Sequence, residues 1–213
     1  RGSAVCHLLP SISYRILTLM PRLKAEQRRE QLIQVALQVF ARGGYDGSTT
    51  AEIAKAAEIT EPILYRHFKS KQDLFIAIVR EVSSKTIEQW SEAVKSETDP
   101  EERFRKLCAG LPEHIKRHAD AYHVLHGALT NSRDKRVIDV IREHYNTLQG
   151  FIRDVIKAGQ DAGVFRPEMK AKSAAWHIIM TGVGYATLSL NLGSIDRASI
   201  GETIDEFLRG MKQ

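Results

Sequence analysis

Apolar residues along this chain recur at helical rather than alternating spacing. In the run Leu23–Gly44, Leu32, Ala36, Val39 and Phe40 fall on one face at i, i+4, i+7 and i+8, which predicts a first helix closed by Gly43 and Gly44. Thr49 followed three residues later by Glu52 is a capping-box pattern and opens a short second helix. Thr60 offers a fresh cap, and Pro62 falls in the first turn of a third helix, where its missing N–H costs nothing. Ser70 with Asp73 repeats the capping pattern and starts a long helix to about Lys95. Asp99-Pro100 begins another, which Pro112 is expected to kink or end. Further helical patterns cover 119–130, 134–162, 168–192 and 197–211. The segment around Trp176–Leu192 is apolar all round the wheel, as expected of a helix covered on several sides. No convincing strand is found. The expected fold is all-α, with about nine helices.

Composition narrows the class. The 213 residues are 43% hydrophobic and 27% charged, with a net charge of +5. No stretch reaches the ~18 consecutive apolar residues that suggest a membrane span. Cys6 and Cys108 lie far apart in sequence, which suggests no disulfide framework and fits a reducing cytoplasm. The positive excess is concentrated: residues 22–80 carry ten Lys/Arg against seven Asp/Glu. A polyanionic partner is therefore expected at the N-terminal end. Residues 1–20 open on Arg-Gly-Ser and are apolar without a signal-peptide cleavage pattern; they are expected to be a leader or tag-derived segment.

The two short helices after a longer one make a helix-turn-helix, whose domain is expected to span 21–70. Ile53, Ala54, Ala57, Leu64 and Phe68 are expected to face inward. Thr49, Thr50, Lys55, Glu61, Tyr65, Arg66, His67 and Lys71 remain outside. That set suits duplex DNA: hydroxyls and Lys serve phosphates, Arg66 is able to donate to guanine, and Glu61 is able to accept from cytosine. The bland alternative is a solvated charged face. One such unit buries little area, so two copies about 34–36 Å apart are expected, reading a palindromic operator as a homodimer. The apolar helix near 174–192 supplies a reason to dimerise. Gly182, Gly184, Ala186 and Ser189 keep it slim, and Ile204, Phe207 and Leu208 of the last helix are expected to join it.

The stretch STTAEIAKAAEITEPILYRHFKSKQDLF resembles the DNA-binding segment of the tetracycline-repressor (TetR) family of bacterial regulators, over residues 25–80. Its most specific part is LYRHFKSKQDLF. The resemblance implies that Tyr65 and Lys71 hold phosphates and that Thr49 and Thr50 cap a helix and touch the backbone. Glu61, Ile63 and Arg66 would face bases, with His67 on bases or phosphate. Glu58 stands where the family often has Gly. The resemblance further implies a C-terminal domain, here 71–213, that binds a small effector and so releases DNA. Trp90, Phe104, Leu107, Cys108, Leu111, Tyr122, Leu125, Trp176 and Met180 are the candidate walls, suited to a hydrophobic or aromatic effector. No cofactor is expected, and no nucleophile motif or phosphate loop suggests an enzyme. A metal sensor is a second reading, because His114/His118 and His123/His126 each share a helix face.

Overall fold

A computed structural model of the chain describes residues 25–193 and 197–212; the expected leader at 1–20 lies outside them. Ten helices are present among the described residues: α1 Ala25–Gly47, α2 Thr50–Ala56, α3 Glu61–His67, α4 Lys71–Val94, α5 Pro100–Ala109, α6 Leu111–Arg117, α7 Ala119–Asn131, α8 Lys135–Asp161, α9 Ala171–Leu192 and α10 Arg197–Met211. An isolated bridge joins Phe165 to Lys212.

The caps explain most boundaries. Thr49 and Glu52 form the full reciprocal capping box of α2. Ser70 accepts from the Asp73 amide, and Asp99 from the Glu102 amide. Thr60 caps α3 with its carbonyl alone, which accepts from the Ile63 and Leu64 amides. Asp134 takes the amides of Arg136 and Val137 and so starts α8. Pro112 departs from expectation: it stands in the first turn of α6 rather than ending α5, and Gly110 makes the corner. The missing proline N–H falls on a group that has no intrahelical partner in any case. Gly44 at φ 71° breaks the regular course of α1, as its place in the sequence suggested.

Two cores are strung along α8. In the first, Leu32, Ile33, Ala36 and Phe40 of α1 meet Leu74, Phe75 and Ile78 of α4, Val124 and Leu125 of α7, and Val137, Val140 and Ile141 of α8. Ile53, Ala57, Leu64 and Phe68 belong to it, and Ala54 is buried beside them. This core continues across residue 70, so the helix-turn-helix is seated on the longer helices. In the second, Leu148, Ile152, Val155 and Ile156 of α8 meet Phe104, Phe165, Ala175, Ile179 and Leu208.

Close approach is tightest at Gly159, where an added Cβ would overlap the fully buried Phe165 ring. Gly159→Ala is expected to lower stability by about 1–3 kcal/mol in urea unfolding, since α8 or Phe165 must shift. An unchanged midpoint would mean that Phe165 is not held there.

Candidate nucleic-acid interface and effector cavity

The turn between α2 and α3 is tight, and Glu58 supplies its left-handed residue at φ 54°. A side chain there costs about 1–2 kcal/mol relative to glycine's freedom. Leu64 anchors α3 inward, which turns Tyr65 and Arg66 outward; Tyr65 is 47% exposed. Ile63 and His67 flank them, partly covered. The α3 face is tied to the start of α2 by side chains. Thr50 Oγ1 donates to Glu61 Oε1 at 2.6 Å and lies 3.1 Å from the Tyr65 hydroxyl. One oxygen of Glu61 is therefore committed within the protein, so Glu61 orients α3 as well as facing outward. Thr49 is exposed but spends its hydroxyl on the cap.

Lys71 is held differently from the expectation. Its ammonium donates to the carbonyls of Tyr45 at 2.8 Å and Ser48 at 3.1 Å, and stands 4.6 Å from the Tyr45 ring centroid. It closes the broken end of α1 onto α4. Contact with a phosphate would have to use its remaining donor. Across the unit, the Arg29 guanidinium lies 5.1 Å from the centre of the Phe68 ring.

The expected effector walls divide. Trp90, Leu111, Tyr122 and Leu125 line a narrow chamber of about 60 Å³ between α4, α6, α7, α8 and α9. Phe104 and Cys108 line a second of about 330 Å³ between α5, α6, α9 and α10, and Leu111 borders both. Leu107 is packed in the second core, and Trp176 is half-buried against it. Met180 must be set aside, being 62% exposed on the outer face of α9. An all-round apolar helix offers no sequence signal for which face turns out.

Sequence reasoning missed His144, Tyr145, Ile178 and Val183 of the narrow chamber. A signal was available: 144 and 145 fall within the stripe of Ile141, Leu148 and Ile152. Burial pushes His144 down to about 4, and His114 likewise to about 4, the latter helped by His118 and Arg117. Both imidazoles are neutral near pH 7. Burial raises the Tyr122 phenol and pushes the Cys108 thiol up to about 12.

The metal reading finds no support. His114 and His118 sit together, ring centres 4.6 Å apart, but His123 and His126 turn to another face beside Thr187 and Asn191 of α9. Among the described residues no three metal-capable side chains converge.

The residues expected at a dimer seam also divide. Gly182 faces Leu111 of its own chain, where an added Cβ would lie 3.0 Å from Cδ2. Ala186 and Leu208 are buried. Phe207 stacks on Phe104, and Ile204 packs on the same core. These serve the protomer's own packing. Gly184 has open space above it, Ser189 is half-covered, and Leu188 and Leu192 stand exposed.

This geometry, a capped helix-turn-helix on a larger helical body with internal cavities, agrees with the comparisons. Residues 32–78 match the family described as bacterial regulatory proteins, tetR family, and residues 100–197 match the tetracyclin repressor-like C-terminal domain. The chain belongs to the TetR family of bacterial transcription regulators, DNA-binding and ligand-responsive proteins rather than enzymes. The transcriptional repressor NicS of Pseudomonas putida is 25% identical over 68% of this chain and 69% of its own length. The regulator QacR of Staphylococcus aureus is 31% identical over 56% of each. The fold is shared with the fatty acid degradation regulator FadR of Bacillus halodurans, with TM-score 0.76 and 22% identity, covering 85% of this chain and 97% of that one.

The depressed pKa of His144 has a measurable sign. Between about pH 6.5 and pH 4 the unfolded chain takes up a proton that the folded chain refuses, so stability falls as pH drops through that window. His144→Leu is expected to remove up to about 3 kcal/mol of that loss, read from urea unfolding at neutral pH and near pH 4. Identical acid slopes in both proteins would contradict a buried neutral imidazole.

Proposed function

We propose that this protein is a homodimeric repressor. It grips a palindromic operator through two copies of α3 and lets go when an apolar effector enters the helical body. The observation that carries the DNA reading is the braced, outward α3 face: Leu64 buried beneath it, Thr50 linked to both Glu61 and Tyr65, and Arg66 exposed beside them. Bracing of this kind fixes the register in which side chains reach base edges. Glu61, Ile63 and Arg66 are the base-facing set, with His67 on bases or phosphate and Tyr65, Thr49, Thr50 and Lys71 toward phosphates. No helix among the described residues is long and apolar enough to cross a membrane, and an operator partner places the work of the protein in the cytoplasm.

Dimerisation is supported by the outer face of α9, where Met180, Leu188 and Leu192 are 62%, 45% and 71% exposed. Three large apolar side chains left in water along one helix are best explained by a second copy. Gly184 between them leaves room for close approach. The effector is mainly hydrophobic, because the chamber walls are largely aliphatic and aromatic. A ligand favouring the wrong spacing of the two reading heads weakens DNA binding by the factor DNA weakens it.

Selection of bound fragments from random duplex DNA, with and without a ligand panel, tests the whole reading. On the selected operator, Arg66→Ala should relax preference at one base pair at a cost of about 1–3 kcal/mol. Uniform weakening would make it a phosphate contact instead. Tyr65→Phe and Lys71→Ala should weaken binding to every sequence, and Lys71→Ala should reduce the salt slope by about one. An unchanged slope would leave Lys71 a purely structural clamp on the Tyr45 and Ser48 carbonyls. Leu188→Glu should sediment as a monomer and lose operator affinity; a stable dimer would move the interface elsewhere.

A further inference from the structure

The narrow chamber forms a waist between two other cavities and shares wall residues with each. On one side it shares Leu111, Ile178 and Gly182 with the outer apolar chamber. On the other it shares Val82, Thr86, His118 and Ala121 with a broad mouth of about 440 Å³, walled by α1, α4 and the α6–α7 corner. The three differ in chemistry. Lys85, Lys116 and Arg117 line the mouth together with Asp120, and two of these cations already have carboxylate partners, Lys85 in Glu81 at 2.6 Å and Arg117 in Glu113 at 3.7 Å, which an anionic head would displace. No Lys, Arg, Asp or Glu lines the waist, whose buried His144 Nδ1 has no partner. The outer chamber is walled mainly by side chains such as Phe104, Ile200 and Phe207, with Glu206 its one charged residue.

We propose that these cavities together take an amphipathic anion, its carboxylate or phosphate head among Lys85, Lys116 and Arg117 and its apolar chain threaded through the waist into the outer chamber. The assignment deepens the ligand-released reading above and rests on it. A head group has reason to stop at the mouth: beyond it no cation offsets the loss of water. The cations already act on that spot, since Arg117 and Lys85 add to burial in lowering the His118 pKa. Shape selects a chain over a compact ring system. The waist is small, and Leu111 against Gly182 forms the partition, so a chain passes by moving one flexible side chain.

The mouth also touches the DNA-binding unit. Glu81 accepts from Lys85 at 2.6 Å and from Gln34 of α1 at 3.1 Å. A bound head that takes Lys85 competes with Glu81, whose other partner positions α1. Ligand and DNA then favour different arrangements of the same α1–α4 contact, which is what linkage between the two sites requires.

Titration calorimetry on the full chain without DNA tests the site, using laurate, dodecyl phosphate, dodecanol and dodecyltrimethylammonium below their micelle-forming concentrations. Both anions should bind about tenfold more tightly than the alcohol, and the ammonium should bind weakest. The ratio of laurate to dodecyl phosphate distinguishes a carboxylate from a phosphate head. Lys116→Ala with Arg117→Ala, both exposed positions, should cut the preference for anions several-fold, with Lys85 left to hold the remainder, while dodecanol binding changes less. Gly182→Leu should weaken hexadecanoate while sparing octanoate. Dodecanol or the ammonium matching laurate, laurate binding unaltered by the double variant, or no binding by any probe would each overturn the assignment. Operator release is measured separately by fluorescence anisotropy. Laurate that binds but leaves DNA affinity unchanged would sink the ligand-released reading and leave the cavity assignment standing.

Discussion

The apolar stripe of α8 is the constraint on which the rest of this protein depends. A helix of 27 residues is about 40 Å long, and this one contributes to both cores. Its first half closes the core that seats α1 and α4, and its second half closes the core of α5, α9 and α10. Between them, where Ile141 gives way to Leu148, the stripe carries His144 and Tyr145, and there the packing opens into a chamber. The same surface thus joins the helix-turn-helix unit to the C-terminal helices and borders the chamber between the two cores.

The reading unit is small and owes its rigidity to three kinds of contact. Leu64 and Phe68 bury one side of α3 in the larger core. Thr50 ties Glu61 and Tyr65 across the turn. Lys71 holds the end of α1 by two carbonyls, beside the clustered rings of Phe40, Tyr45 and Phe75. A strained Glu58 in the turn is tolerated because these contacts over-determine the geometry around it. The unit shares its core with α4, α7 and α8, so no separate hydrophobic core divides it from the body.

Local chemistry was the most legible part of the sequence. The caps at Thr49, Ser70 and Asp99, the break at Gly44 and the inward set of Ile53, Leu64 and Phe68 all follow from residues within a few positions of one another. The exposed set on α3 was legible for the same reason: once Leu64 faces in, Tyr65 and Arg66 must face out. Gly182 is expected from the sequence to let another helix approach at a dimer seam, yet it lies against Leu111 of its own chain, about 70 residues away, and no local pattern specifies that neighbour. Lys71 is expected from the sequence on phosphate, and its two carbonyl partners are not legible there because they exist only once α1 has been broken and folded back.

The sequence by itself determined most helix starts, though not the separate α6 at Leu111–Arg117, that the helices form an all-α body, and which short helix presents Tyr65 and Arg66. Hydrogen-bond capping and 3.6-residue periodicity are local, so they survive in one dimension. Only the tertiary structure decided which face of α9 meets water, that the two histidine pairs turn to different faces, and that His144 ends at a cavity beside a basic mouth. Each of those depends on contacts between residues far apart in the chain, and a uniformly apolar helix carries no mark of which side its neighbours will cover.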